Sequence, residues 1–177
     1  MPKLTLDRSL VLVVDFQARL MPAIAEGEAR MAAARKVLEA ARLLGAPIVA
    51  TEQNPRGLGT TVEGLLAPGD RVLSKMTFSA VAAPEFEAAV PADRDIVLMG
   101  AETHVCVLQT ALDLRARGRR VCLLADAVGS RRESDRQAGL ARMAGDGVEI
   151  LTGEMAIFEW LVSCENPRFR EAIKIVR

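Results

Sequence analysis

Three side chains suited to joint nucleophilic and acid–base chemistry each follow a short apolar run of the sequence. Cys106 lies just beyond the apolar run 96–99, at the start of a helical pattern, and Asp15 and Lys75 follow two other apolar runs. Open α/β sheets bind their ligands at the carboxyl ends of strands. At such a place the free N–H groups and the positive dipole end of a helix favour the thiolate, the reactive form of cysteine. The position of Cys106 therefore predicts a nucleophilic cysteine.

Asp15 and Lys75 each have two interpretations. A carboxylate at the end of a central strand is partly desolvated and makes a plausible proton acceptor, but Asp is also a common helix N-cap. A lysine after a short strand is usually a solvated surface residue. If both residues converge with Cys106 at one sheet edge, the ammonium holds the carboxylate in place and favours the thiolate.

His104 is the only histidine of the chain. It lies two residues before Cys106, and at that spacing two side chains do not share a helix face. We therefore expect His104 to be a pocket-wall or interface residue, and Asp15 to be the base that activates the thiol.

Other residues near these three are candidates for the substrate pocket. Phe16 and Phe78 are close in sequence to Asp15 and Lys75, so we expect them to be pocket walls, with core packing as the alternative. Gln53 follows the second apolar run and is expected to orient a polar substrate, unless segment 51–59 is an ordinary polar connection.

Composition and motifs exclude several classes of partner. The 23 Lys and Arg residues balance the 23 Asp and Glu residues, which argues against a nucleic-acid or anionic-membrane partner and favours a small-molecule substrate. The sequence has no G-x-G-x-x-G or P-loop motif and no cluster of Cys, His and Asp, so we expect no cofactor and no metal.

The sequence also carries signals of compartment. No apolar run has membrane-spanning length, and the first residues lack a signal-peptide layout. The three cysteines are scattered, without a C-x-x-C pair, as is typical of reduced thiols. These features predict a cytoplasmic protein.

Short aliphatic runs alternate with helical patterns along the whole chain. The runs are nearly continuous in apolar residues, as expected of parallel strands covered on both faces. The pattern predicts one domain, 1–177, with a three-layer α/β/α fold and a six-stranded, mostly parallel sheet of Rossmann-like topology. The predicted strands are 10–14, 47–51, 71–73, 95–99, 120–124 and 148–151, and the predicted helices are 28–44, 84–89, 104–117, 133–144, 154–161 and 167–175.

Four segments carry a resemblance to a known family. They are 13–17 (VVDFQ), 74–79 (SKMTFS), 100–107 (GAETHVCV) and 126–131 (DAVGSR). In this order and at the ends of separate strands, they resemble the isochorismatase-like cysteine hydrolase superfamily over about 10–161. Within it, the chain looks most like the small isochorismatase-domain hydrolases.

This resemblance implies a catalytic triad of Asp15, Lys75 and Cys106. It also implies a cis peptide bond between Ala101 and Glu102, and an oxyanion hole formed by the N–H groups of Glu102 and Cys106. The histidines that bind metal in nicotinamidases are missing after the second strand, so the resemblance does not extend to a metal site. It further implies a homo-oligomer, either a dimer or a tetramer.

The residues and the resemblance together predict a metal-independent hydrolase of a small amide, carbamoyl or related C–N substrate. Cys106 would form a thioester-type intermediate, Asp15 would act as general base and acid, and Lys75 would be its electrostatic partner. The alternatives are isochorismatase-type vinyl-ether hydrolysis, a thiol redox enzyme, and a catalytically silent oligomeric interaction protein.

Overall fold

A central sheet of six parallel strands organises the chain, as seen in a computed structural model that describes residues 2–177. Every neighbouring pair of strands is parallel, and the strand order is β3-β2-β1-β4-β5-β6. The predicted three-layer α/β/α fold is confirmed. The strands are β1 Ser9–Val14, β2 Ile48–Gln53, β3 Arg71–Lys75, β4 Asp95–Ala101, β5 Val121–Gly129 and β6 Glu149–Leu151.

Helices cover both faces of this sheet. The central strands β1 and β4 are buried along their whole length, which explains their unbroken aliphatic sequence. Helices α1, α6 and α7 contact one another, while α4 and α5 form a second group. The helices are α1 Gly27–Leu44, α2 Pro55–Leu58, α3 Phe86–Ala89, α4 Leu108–Ala116, α5 Glu133–Gly145, α6 Gly153–Leu161 and α7 Phe169–Val176.

Strands β1 and β4 lie side by side at the point where the strand order reverses. The chain runs from β1 to β2 and β3 on one side, and from β4 to β5 and β6 on the other. In open α/β sheets, ligands bind outside the carboxyl ends of the strands at this switch point. Asp15 directly follows β1, and the turn that bears Cys106 follows β4.

Gly100 allows the two central strands to approach closely just before this edge. It pairs with Val14 and has a φ of +146°, and a Cβ atom placed on it would lie 2.0 Å from the Val14 carbonyl oxygen. Only glycine fits such an approach of two backbones. This contact fixes the spacing between the ends of β1 and β4.

Several strands extend further toward the functional edge than the sequence predicted. Strand β2 continues to Gln53, β3 to Lys75 and β5 to Gly129, so Gln53 and Lys75 belong to strand ends rather than to loops. The prediction for β5 ended too early because Asp126 interrupts the apolar run. The predicted helix 104–117 is also divided, with a π-helical turn at Thr103–Val107 before α4.

Residues 2–177 contain no helix that combines the length and the apolar character needed to cross a bilayer.

Candidate active site

Asp15 and Lys75 form a buried ion pair at the carboxyl edge of the sheet. The Lys75 Nζ atom lies 2.6 Å from Asp15 Oδ2, and both side chains are 0% exposed. Strands β1 and β3 are separated by β2, so the long lysine side chain reaches across one strand to meet the carboxylate. The alternative of a solvated surface lysine is therefore wrong.

The Lys75 ammonium has a partner for each of its three protons. Besides Asp15 Oδ2, it donates to the Thr77 carbonyl oxygen at 3.2 Å and to the Phe78 carbonyl oxygen at 2.9 Å. An ammonium group has three donors and no acceptor. Lys75 is thus fixed in place as a positive charge beside Asp15.

Asp15 is held by Thr51 through both its backbone and its side chain. The Asp15 N–H donates to the Thr51 carbonyl oxygen at 3.1 Å, and the Thr51 hydroxyl donates to Asp15 Oδ1 at 2.7 Å. Asp15 has a φ of +55°, in the left-handed region, so the chain turns sharply at the end of β1. Sequence reasoning assigned no role to Thr51. Its signal was its place at the end of the predicted strand 47–51.

Cys106 lies in the π-helical turn between β4 and α4, close to the ion pair. The pKa of the Cys106 thiol is raised from 9.0 to about 12, first by burial and then by the negative charge of Asp15, while the positive charge of Lys75 opposes the rise. The thiol therefore lies within electrostatic reach of both groups, and the structure brings the three predicted residues together. Cys106 is only 7% exposed.

This environment makes the resting Cys106 a neutral thiol at pH 7. Lys75 lowers the thiol pKa, as expected, but desolvation of the charged form outweighs this effect, so the expected resting thiolate is not favoured. Any reaction of the sulfur as a nucleophile must therefore begin with removal of its proton. Asp15 is the carboxylate whose charge acts most strongly on this thiol.

The turn that bears Cys106 begins at the peptide bond between Ala101 and Glu102, which is cis. The Glu102 side chain points to Arg131, whose Nε and backbone N–H both donate to Glu102 Oε1, at 2.9 and 3.2 Å. The Glu102 carboxylate therefore ties the cysteine turn to the segment that follows β5. The N–H groups of Glu102 and Cys106 lie at the start and near the end of this turn.

His104 contacts Ser130 and not the catalytic candidates. Its Nδ1 atom lies 3.0 Å from the Ser130 hydroxyl oxygen, and the imidazole is half-buried. This second link joins the cysteine turn to the end of β5, as the Glu102–Arg131 pair does. His104 is thus part of the turn, and its contact with Ser130 is a structural one.

The two phenylalanines expected as pocket walls have different environments. Phe16 has no exposed surface and belongs to the core, so core packing, the alternative interpretation, describes it. Phe78 is 52% exposed, and its carbonyl oxygen holds Lys75. Phe78 is thus available to a ligand at the surface, whereas Phe16 is not.

Gln53 is fixed by Gln17, which sequence reasoning missed. Gln17 is fully buried. Its side-chain amide nitrogen donates to the carbonyl oxygens of Gln53 at 3.0 Å and of Gly59 at 2.6 Å. Its side-chain amide oxygen accepts a hydrogen bond from the backbone N–H of Gln53. The Gln53 side chain donates to the Met76 carbonyl oxygen at 3.3 Å. These contacts fix the segment after β2 beside the loop that holds Lys75.

A cavity of about 660 Å³ lies on the Lys75 side of this edge. Apolar atoms form most of the cavity surface, and Arg56 contributes an exposed charged side chain. The lining residues are Asn54, Pro55, Arg56, Ser74, Lys75, Met76, Thr77, Ala82 and Pro84. Within residues 2–177, no group of three or more His, Cys, Asp or Glu side chains is arranged to hold a metal ion.

Comparisons with known proteins identify the family of this chain. Residues 9–155 match the family model of the isochorismatase domain. The chain is 39% identical over 172 residues to isochorismatase domain-containing protein 1 of Danio rerio, covering 96% of this chain but 61% of the relative. It is 39% identical over 172 residues to isochorismatase domain-containing protein 2A of Mus musculus, covering 97% of this chain and 84% of the relative.

A solved structure described as the MAR1 ribonuclease from Caenorhabditis elegans has the same fold. It superposes with a TM-score of 0.94 at 33% identity, covering 99% of this chain and 92% of that one. The domain match spans most of the chain, including Asp15, Lys75 and Cys106. The chain belongs to the isochorismatase domain family.

Proposed function

We propose that this protein is a metal-independent hydrolase that cleaves a small amide, carbamoyl or related C–N bond through a covalent intermediate on Cys106. The observation that supports this most strongly is the Asp15–Lys75 ion pair, 2.6 Å long and without exposed surface, in electrostatic contact with a buried thiol. Burying a charge pair costs free energy, and such groups cluster where chemistry needs them.

The first half-reaction begins with the neutral Cys106 thiol. Asp15 accepts the thiol proton while Sγ attacks the substrate carbonyl carbon, and the carbonyl oxygen becomes an oxyanion. The N–H groups of Glu102 and Cys106 stabilise this oxyanion. As the C–N bond breaks, Asp15 returns its proton to the departing amine, which leaves a thioester on Cys106.

The second half-reaction releases the acyl group. Asp15, again a carboxylate, accepts a proton from a water molecule that attacks the thioester carbonyl. The resulting tetrahedral intermediate expels the sulfur, which regains a proton from Asp15, and the free acid departs. Each cycle thus consumes one water and restores the thiol.

Lys75 acts in this scheme as a fixed charge. Because its three protons have partners, it has none to offer the substrate. Its charge lowers the pKa of Cys106, and its ammonium group stays hydrogen-bonded to Asp15. Without Lys75, we expect neither the Asp15 carboxylate nor the Cys106 thiol to keep its position.

RNA hydrolysis is a second candidate, because the 33% identical structure from Caenorhabditis elegans is described as a ribonuclease. The chain itself has equal numbers of cationic and anionic residues, which gives it no general attraction for a phosphate backbone. We therefore place amide hydrolysis first and test both.

Four proteins test the proposal: the wild type, Cys106→Ser, Asp15→Asn and Cys164→Ser. Cys164 is an exposed free cysteine and serves as the matched control. Each is assayed for amine or ammonia release from small amides, ureas and carbamoyl compounds, for cleavage of single-stranded RNA, and for thermal unfolding.

We expect wild type and Cys164→Ser to hydrolyse at least one C–N substrate. Cys106→Ser and Asp15→Asn should lose about 10³-fold or more of that activity while remaining folded. Undiminished amide turnover in Cys106→Ser would refute the role of the Cys106 thiol as the nucleophile. RNA cleavage that needs Asp15 but not Cys106 would favour the second candidate.

A further inference from the structure

The contacts of Asp15 point beyond the triad to a fourth residue. We infer that Thr51 is a positioning residue, whose hydroxyl orients the Asp15 carboxylate toward Cys106 and stabilises its charged form. This inference rests on the proposed role of Asp15 as the base, and it adds a residue that the triad does not include.

The geometry gives Thr51 a place equivalent to that of Lys75 on the opposite carboxylate oxygen. Lys75 Nζ donates to Oδ2 at 2.6 Å, and Thr51 Oγ1 donates to Oδ1 at 2.7 Å. Each oxygen therefore accepts one strong hydrogen bond. Together the two donors fix the plane of the carboxylate and leave its remaining lone pairs for the thiol proton.

Water cannot easily substitute for the Thr51 hydroxyl. Thr51 is 1% exposed and Asp15 is 0% exposed, so the bond between them lies entirely inside the protein. The backbone adds a further constraint, because Asp15 has left-handed φ and its N–H is bonded to the Thr51 carbonyl oxygen. A non-glycine residue keeps that conformation only where its surroundings enforce it.

Hydrogen bonds donated to a carboxylate favour its charged form. When Asp15 takes the thiol proton, the donors from Thr51 and Lys75 therefore favour passing that proton on to the departing amine. The Thr51 proton stays on Thr51 throughout, so the residue acts through Asp15 and does not touch the substrate.

The test measures the rate of Cys106 alkylation by iodoacetamide as a function of pH, with peptide mass spectrometry separating Cys106 from Cys164. The variants are Thr51→Val, which keeps the shape but removes the hydroxyl, and Thr51→Ser, which keeps the hydroxyl. Thr51→Ala removes the same hydroxyl without adding a methyl group, should valine not be accommodated. Thermal unfolding of each variant checks the fold.

The matched control is Thr61→Val. The Thr61 hydroxyl also donates to a carboxylate, Glu52 Oε1 at 2.8 Å, but that carboxylate is not part of the triad. A general effect of removing a threonine hydroxyl near this edge would therefore appear in both variants. An effect transmitted through Asp15 would appear only in the Thr51 variants.

At low pH the rate of Cys106 alkylation falls, and we call this part of the profile its acidic limb. We expect Thr51→Val to shift the acidic limb to higher pH by about one unit, which corresponds to the loss of one charge-assisted hydrogen bond. Thr51→Ser should restore the wild-type limb and Thr61→Val should leave it unchanged. An unshifted limb in Thr51→Val and Thr51→Ala, or an equal shift in Thr61→Val, would overturn the inference.

Alkylation does not require an amide substrate, so this test is independent of the proposed reaction. If no amide is hydrolysed but the limb shifts as expected, the role of Thr51 stands and the proposed reaction fails. If amides are hydrolysed and the limb does not move, the reaction stands and Thr51 has only a structural role.

Discussion

Asp15 and Lys75 show how much of the site depends on a single buried charge pair. Each charge is out of contact with water and is compensated by the other and by nearby hydrogen bonds. Removing one partner of such a pair leaves an uncompensated charge inside the protein, which is far more costly than removing both. Each member of the pair therefore affects stability through the other, in addition to its part in the proposed chemistry.

Lys75→Met should lower the free energy of unfolding by about 3–5 kcal/mol, because it leaves the Asp15 carboxylate buried without its countercharge. Combining it with Asp15→Asn should recover part of that loss. Urea denaturation measures both variants, with the exposed Lys36→Met as the control. A cost for Lys75→Met no greater than that for Lys36→Met would show that the ion pair does not stabilise the fold.

At the scale of elements, packing of helix α5 fixes the position of the turn Thr103–Val107, which bears Cys106. A Cβ atom on Gly139 would lie 3.2 Å from the Thr103 carbonyl oxygen and 3.3 Å from the His104 nitrogen. The helix therefore packs directly on the backbone of the turn, which the His104–Ser130 contact also holds. An added methyl group would therefore displace the Thr103–His104 backbone of the turn by a few tenths of an ångström.

Gly139→Ala should therefore lower activity, or the rate of Cys106 modification, by about tenfold, because small displacements of a catalytic group are costly. Its effect on thermal stability should be small, since alanine is the better helix former and offsets part of the crowding. Gly145→Ala in the same helix is the control, because nothing lies within 4 Å of its added methyl group. Full activity in Gly139→Ala would mean that the turn adapts freely.

At the scale of the whole molecule, two buried thiols link stability to pH. The pKa of both Cys106 and Cys122 is raised from 9.0 to about 12, first by burial and in addition by neighbouring acidic groups. Above pH 9 the unfolded chain releases thiol protons that the folded chain retains. The unfolded state then binds fewer protons, so the free energy of unfolding falls as the pH rises from 9 toward 12.

Cys122→Ala should reduce the steepness of this alkaline loss of stability by up to about 1.4 kcal/mol per pH unit. Chemical denaturation at a series of alkaline pH values measures it. The exposed Cys164→Ser should leave the steepness unchanged. An identical alkaline slope in wild type and Cys122→Ala would contradict the assignment of a buried neutral thiol.

Much of this architecture could be predicted from the sequence because parallel sheets obey simple rules. Unbroken aliphatic runs predict buried parallel strands, and the ends of such strands meet at one edge, which places Asp15, Lys75 and Cys106 together. The family resemblance added their roles. Oligomer formation stays a prediction.

The remaining features depend on distances in the folded chain. The Thr51 hydroxyl has its role because of the register between β1 and β2, and residue types alone do not specify that register. The direction of the Cys106 pKa shift depends on depth of burial, which a local motif does not contain. Phe16 was expected in the pocket because it follows Asp15 in the sequence. The chain turns sharply at Asp15, and Phe16 lies in the core.

The central claim is that Cys106 is a nucleophile whose proton is taken by Asp15. The most direct measurement is acylation by p-nitrophenyl acetate, an activated ester, with acid quenching and peptide mass spectrometry of wild type and Asp15→Asn. We predict an acetyl group on Cys106 of the wild type that Asp15→Asn largely fails to acquire, while labelling of Cys164 is the same in both. Ester turnover with Cys106 unmodified, or equal acetylation of Cys106 in the two proteins, would contradict the claim.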